Sequence, residues 1–206
     1  MSDAPLIHVV DDDESQRTAL LRLLSAAGYE TRGYASTGEF LLAPLPDRHG
    51  CVLLDVRMPG PSGLDLQEAL LRQGVALPIV FLTGHANVSS AVRAMKAGAV
   101  DFLSKPVERD TLFEALGRAL ARDDARRASA HEGNQLRARF ASLTKREREV
   151  LDLIVAGRLN KQIAEELGLA ERTVKAERAQ VMTKLGASSP AELGVMAERL
   201  RKLSER

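Results

Sequence analysis

Asp11, Asp12, Asp55, Thr83 and Lys105 are scattered over almost a hundred residues, yet each follows a short apolar run. Asp55 closes Gly50-Cys51-Val52-Leu53-Leu54, and Pro59 and Gly60 then turn the chain. Asp11 and Asp12 follow Leu6-Ile7-His8-Val9-Val10, Thr83 follows Ile79-Val80-Phe81-Leu82, and Lys105 follows Val100-Asp101-Phe102-Leu103. If the four runs are parallel strands, three carboxylates, a hydroxyl and an ammonium meet at the edge where open parallel sheets bind ligands. Hard oxygen donors of this kind suit a magnesium ion, and a carboxylate can itself take up a phosphoryl group. Asp55 is the expected nucleophile.

The elements that must place these residues alternate in type. After the first run, Glu14 to Ala27 puts Leu20, Leu23, Leu24 and Ala27 on one helical face, with Gly28 as a stop. Tyr29 to Ala35 reads as an edge strand, and Ser36 to Ala43 as a short helix before Pro44. Ser62 caps a helix from Gly63 to Arg72, and Asn87 caps one through Lys96. Glu108 to about Ala121 carries Leu112, Leu116 and Leu120 at intervals of four. Strand and helix in alternation predict an α/β domain, a parallel sheet covered on both faces.

The acidic pair, Asp55 with Met58-Pro59-Gly60, Thr83-Gly84 and Lys105-Pro106 resemble, in order and spacing, the receiver domain of two-component response regulators over roughly residues 5 to 120. That resemblance implies a flavodoxin-like five-stranded parallel sheet with Asp55 as phosphoacceptor. It implies Mg2+ (or Mn2+) bound by Asp12, Asp55 and the backbone carbonyl of Arg57, with Asp11 acting through water. Lys105 and Thr83 would meet the phosphoryl oxygens, the Lys105–Pro106 peptide would be cis, and Arg57 and His85 would influence hydrolysis. Phe102 would turn inward on phosphorylation, making a dimer surface with Val92 and Lys96. The same residues singly have plainer uses: Asp11 to Asp13 as a helix cap, Phe102 as core.

Composition divides the chain. Residues 1 to 118 carry 11 basic and 15 acidic groups, and residues 119 to 206 carry 18 and 13, so an acidic front (−4) precedes a basic back (+5). The second part suits a polyanion. Cys51 is the only cysteine, which excludes an intrachain disulfide and fits a reducing cytoplasm, and its place in an apolar run makes it a core residue. Neither a basic segment followed by a long apolar run at Met1-Ser2-Asp3-Ala4-Pro5 nor an eighteen-residue apolar span occurs, so secretion and membrane insertion are not expected. His8, His49, His85 and His131 lack ligand-like spacing and read as surface or loop histidines.

Residues 122 to 140 are rich in alanine and charge, and read as a partly helical linker interrupted at Gly133-Asn134. Beyond it, Thr144 and Glu147 form a capping box for a helix whose apolar face is Val150, Leu151, Ile154 and Val155. Lys161 to Leu167, the turn Gly168-Leu169-Ala170 and Glu171 to Leu185 make a helix-turn-helix, and Ser189-Pro190 opens a last helix.

Residues 140 to 200 resemble the LuxR-type output domain, through Leu143-Thr144-x-Arg146-Glu147-x-Glu149-Val150-Leu151, Asn160-Lys161-x-Ile163-Ala164, Thr173-Val174-Lys175 and Lys184-Leu185. With a receiver before it, the chain resembles the NarL/FixJ group: receiver at 1–121, linker at 122–140, all-α DNA-binding bundle at 141–206. The resemblance puts Lys175, Ala176 and Ala179 toward bases and Thr173, Arg178 and Lys184 toward phosphates, with Asn160 and Lys161 also at the DNA. Two residues depart from the family pattern: Ala170 stands where serine usually caps the helix, and Glu177 where histidine is usual.

The implied protein is no enzyme but a cytoplasmic transcription regulator. Its partners would be a sensor histidine kinase, double-stranded promoter DNA, RNA polymerase and, once phosphorylated, a second copy of itself. Two other readings stay open. Aspartate-based phosphohydrolases use the same groups but need a second carboxylate two residues after the nucleophile, where this chain has Arg57. A receiver that is never phosphorylated, with a helix-turn-helix that binds protein, is the other.

Overall fold

Leu6–Val10 (β1), Glu30–Tyr34 (β2), Gly50–Leu54 (β3), Ile79–Thr83 (β4) and Asp101–Ser104 (β5) form one sheet, ordered β2-β1-β3-β4-β5. The computed structural model describes residues 4–45, 48–85 and 87–204, so Met1 to Asp3 of the amino-terminal stretch and the last two residues lie outside it. Every strand pair is parallel. The central strands β1, β3 and β4 are buried along their whole length, and β2, an edge strand with one neighbour, is half polar.

Side chains on alternate strand positions feed two cores. Val10, Val52, Leu54, Ile79 and Phe81 pack on one side with Phe40, Leu64, Leu70 and Ala94, from helices Thr37–Leu42 (α2), Gly63–Arg72 (α3) and Val88–Lys96 (α4). Ile7, Val9, Leu53, Val80 and Leu82 pack on the other with Leu24, Leu112 and Leu116, from Glu14–Ala26 (α1) and Arg109–Ala141 (α5). Asp13, Ser36, Ser62 and Asn87 each accept a backbone hydrogen bond from the first turn of the helix they cap.

Register decides where the loops meet. Val10 lies opposite Leu54, and the Asp55 amide donates to the Val10 carbonyl (2.9 Å), so β1 and β3 release Asp11 and Asp55 at the same level. Thr83 lies opposite Ser104, and the Lys105 amide donates to the Thr83 carbonyl (2.8 Å). The crevice at β1 and β3 is the point where the strand order reverses.

α5 corrects the expectation of an interrupted linker. It is helical without a break from Arg109 to Ala141, through Gly133 and Asn134. A Cβ on Gly133 would lie 3.3 Å from the Leu203 side chain, so the glycine admits a close neighbour instead of ending the helix. The chain divides into two compact units at Arg127 and Ala128. The first unit extends past the expected receiver end at 121, where Asp123, fully buried, accepts bonds from the Gly50 amide (3.1 Å) and from Arg126 (2.8 Å), with His49 Nδ1 at 3.2 Å.

In the second unit, Lys145–Val155 (α6), Asn160–Leu167 (α7), Glu171–Leu185 (α8) and Pro190–Ser204 (α9) enclose Val150, Leu151, Ile154, Ile163, Val174, Val181, Leu185 and Leu193. The Thr144–Glu147 capping box forms as expected. Gly168, at φ +65°, takes the left-handed conformation that lets α7 turn into α8.

Gly63 opens α3 directly behind the acidic loop, and a Cβ there would stand 2.0 Å from the Asp55 carbonyl oxygen. Gly63→Ala is therefore expected to cost about 1–3 kcal/mol, since the backbone must shift. Gly117→Ala, in exposed α5 with open space at its Cβ, is expected to stabilise by about 0.5–1 kcal/mol. Urea denaturation of the two variants checks both signs.

Candidate functional site

Lys105 joins the first-unit site. Its Nζ donates to Asp11 Oδ2 at 2.7 Å and to Asp55 Oδ2 at 2.9 Å, linking the ends of β1, β3 and β5. The other oxygens are held by backbone: Asp11 Oδ1 accepts from the Asp13 amide (3.0 Å), and Asp55 Oδ1 from the Arg57 amide (3.1 Å). Asp12 is exposed beside them, and ligand oxygens of Asp11, Asp12 and Asp55 all lie within 4.8 Å of one another. The Lys105–Pro106 peptide is cis.

Burial shapes the electrostatics. It pushes the Asp11 carboxyl above the ordinary carboxylate range, and the hydrogen bond and charge of Lys105 only partly offset this. Burial also works against the Lys105 ammonium, but its bonds to Asp11 and Asp55 outweigh that, and its pKa is raised. One ammonium facing two carboxylates beside a third leaves excess negative charge. Such a set of hard oxygens fits a divalent cation and would accept an electropositive phosphoryl centre.

Thr83 ends β4 fully buried, and its hydroxyl oxygen accepts from the His85 amide (3.3 Å). Arg57 and His85 are exposed. Phe102 on β5 is half-buried against Phe81, ring centroids 5.8 Å apart, while Val92 and Lys96 of α4 are exposed.

His8 departs from the surface-or-loop reading, whereas His49 is a half-buried loop residue. His8 is buried in β1, its Nδ1 2.9 Å from the Tyr34 hydroxyl and its ring edge-on to Phe40. Burial, with Arg32 nearby, lowers its pKa to about 4. His49 lies against the Asp123 and Asp124 carboxylates. Cys51 is core, its thiol pushed up to about 12 by burial and by Asp123. Nothing in the local pattern of charges separates Asp123 from a solvated linker residue, because its partners Gly50 and His49 lie about seventy positions earlier.

In the second unit, Val174, Val181 and Leu185 of α8 are buried, whereas Arg172, Thr173, Lys175, Ala176 and Ala179 are exposed. Arg178 and Asn160 are half-buried, and Lys161 is exposed. α8 starts at Ala170 with no side-chain cap, as expected from the missing serine. Lys184 is a correction. Its Nζ is 2.7 Å from the Glu147 carboxylate and 3.4 Å from the Ser142 carbonyl, so it closes the capping box inside the unit instead of standing free for a phosphate.

Residues 7–117 match the response regulator receiver domain, and residues 141–197 match the bacterial regulatory proteins of the luxR family. Nodulation protein W of Bradyrhizobium diazoefficiens is 45% identical over 199 residues, covering 97% of this chain and 88% of its own. Transcriptional regulatory protein FixJ of Rhizobium meliloti is 41% identical over 191 residues, covering 93% and 94%. Among solved structures, the response regulator StyR superposes with a TM-score of 0.86 at 45% identity, over 95% of this chain and 99% of that one. Full-length FixJ from B. japonicum gives 0.58 at 40% identity, over 96% and 98%.

Removing the shared cation leaves two carboxylates facing each other. Lys105→Met is expected to cost on the order of 3 kcal/mol at pH 7.5. Because burial raises the pKa of Asp11, this carboxylate takes up a proton as pH falls, so the deficit relative to wild type shrinks toward pH 5. Urea denaturation at the two pH values measures it.

Proposed function

This chain belongs to the response regulators of the NarL/FixJ group, transcriptional regulators that join a receiver to a LuxR-type DNA-binding domain, and on that premise we propose that phosphorylation of Asp55 by a sensor histidine kinase controls dimerisation and sequence-specific binding to promoter DNA. The observation that carries the reading is the pair of hydrogen bonds that Lys105 Nζ donates to Asp11 and Asp55 next to Asp12. On this reading residues 1–121 form the phosphoacceptor domain, 122–140 the connection and 141–206 the DNA-binding domain, with the first compact unit running on into the connection as far as Arg127.

In this reading Asp55 attacks phosphorus through a carboxylate oxygen, and the kinase's phosphorylated group leaves with the electron pair of the broken bond. Lys105, now shared by two carboxylates, turns to the oxygens of the transferred group, and the Thr83 hydroxyl donates to another. Asp11, Asp12, Asp55 and the Arg57 carbonyl would hold Mg2+ or Mn2+, which when bound supplies positive charge to the phosphoryl oxygens. The donor set, three carboxylates clustered within 4.8 Å, is of the kind such an ion takes.

The new group brings about −1.5 to −2 charges to a place already crowded with carboxylates, enough to reorder neighbouring loops. Thr83 moving toward it opens space behind β4 for Phe102, and the α4–β5 face with Val92 and Lys96 becomes the dimer surface. Val92 and Met95 are about half exposed there and Val88 more so, at 80%. A single output domain offers about 600–1,000 Å² of DNA contact, so pairing two domains is what gives tight specific binding. On the DNA, Lys175, Ala176 and Ala179 face bases, Thr173, Arg178, Asn160 and Lys161 serve the backbone, and RNA polymerase is met at the promoter.

A regulator of this kind binds promoter DNA more tightly after acetyl phosphate treatment. The gain is expected to vanish in Asp55→Asn, and Lys175→Ala to weaken binding whether or not the protein is phosphorylated. Mobility shifts at several salt concentrations read all three, and a phosphorylation gain that survives in Asp55→Asn contradicts the proposal. Mg2+ at ten times its Kd is expected to add about 1.4 kcal/mol of stability to wild type and far less to Asp12→Asn, as thermal unfolding reports.

A further inference from the structure

The three positions set toward bases, Lys175, Ala176 and Ala179, hold one hydrogen-bond donor between them. An alanine can only touch a thymine methyl, and one lysine cannot define a site. Something else on α8 must read sequence if the helix reads sequence at all.

At 3.6 residues per turn, the side opposite buried Val174, Val181 and Leu185 is centred on Arg172, Ala176, Ala179 and Thr183, with Lys175 and Gln180 on its flanks. The polar candidates beyond Lys175 are thus Arg172, Gln180 and Thr183, all exposed. Arg172 lies in the first turn, the end of a recognition helix that meets base edges, while Gln180 lies about 12 Å further along the axis. Its guanidinium has no hydrogen bond or ion pair among the described residues. Of the other cations of α8, Lys175 is exposed in the same way, whereas Arg178 is half-buried and Lys184 is held by Glu147. Ala176, one turn on, leaves no bulk between Arg172 and a groove floor.

We propose that Arg172 is a specificity-determining residue, its guanidinium donating two parallel hydrogen bonds to O6 and N7 of one guanine in each half-site. The inference rests on the reading of α8 as the helix that enters the major groove. It assigns to Arg172 the discrimination that Ala176 and Ala179 cannot supply, and leaves those alanines to let the helix sit close.

The test is a binding-site selection on the full chain treated with acetyl phosphate, as wild type, Arg172→Ala and Arg172→Lys. The wild type is expected to fix a G·C pair in each half-site that neither variant fixes, since lysine keeps the charge but not the paired donors. Affinity of Arg172→Ala for the wild-type site is expected to fall about 5- to 150-fold, the range of one bidentate contact, with far less change on unrelated DNA. If instead both variants keep the wild-type preference, and Arg172→Ala binds all DNA more weakly with a salt slope smaller by about one, the residue is a phosphate contact and the proposal is wrong. If wild type selects no sequence, the groove-binding reading of α8 falls, and this proposal with it.

Discussion

The structure of the first unit depends on one ammonium placed between two carboxylates that the fold forces together. Parallel pairing of β1 with β3 in the register Val10 to Leu54 releases Asp11 and Asp55 side by side, and burial makes Asp11 more costly to charge. Lys105, delivered by β5 to the same edge, offsets that charge with two short bonds. The balance is incomplete, since Asp12 adds a third carboxylate. A site with more carboxylates than cations is of the kind that a divalent metal ion would balance.

Much of this is legible in the sequence because the informative residues sit at the ends of apolar runs. Leu6-Val10, Gly50-Leu54 and Ile79-Leu82 are continuous because those strands are covered on both faces, and a polar residue that ends such a run has nowhere to go but the sheet edge. Capping residues are equally plain, since Ser62, Asn87 and Thr144 act on amides only a few positions away. The output unit is legible for the same local reasons: one buried stripe per helix and a glycine at the turn.

What was not legible depends on partners distant in the chain. His8 looks like a solvated histidine until β2 brings Tyr34 beneath it. Asp123 looks like linker charge until its carboxylate caps the Gly50 amide at the start of β3. Gly133 looks like a helix breaker until Leu203 of α9 is seen against it. Lys184 looks like a free phosphate contact until Glu147, itself needed for the capping box, takes it. In each case the neighbour that fixes the residue's role lies far from it in the chain.

The two units divide the work by charge. The acidic front sets three carboxylates at one sheet edge, and the basic back presents Arg172, Lys175 and Lys161 to solvent; the proposed function links them, a reaction of the first governing a polyanion contact of the second. That division stands or falls on which side chain takes the phosphoryl group. Reduction with borohydride after acetyl phosphate and Mg2+ treatment converts an aspartyl phosphate to homoserine, and peptide mass spectrometry locates it. Homoserine at residue 55 alone is the predicted result; homoserine at another aspartate, or none while label is incorporated, contradicts the account.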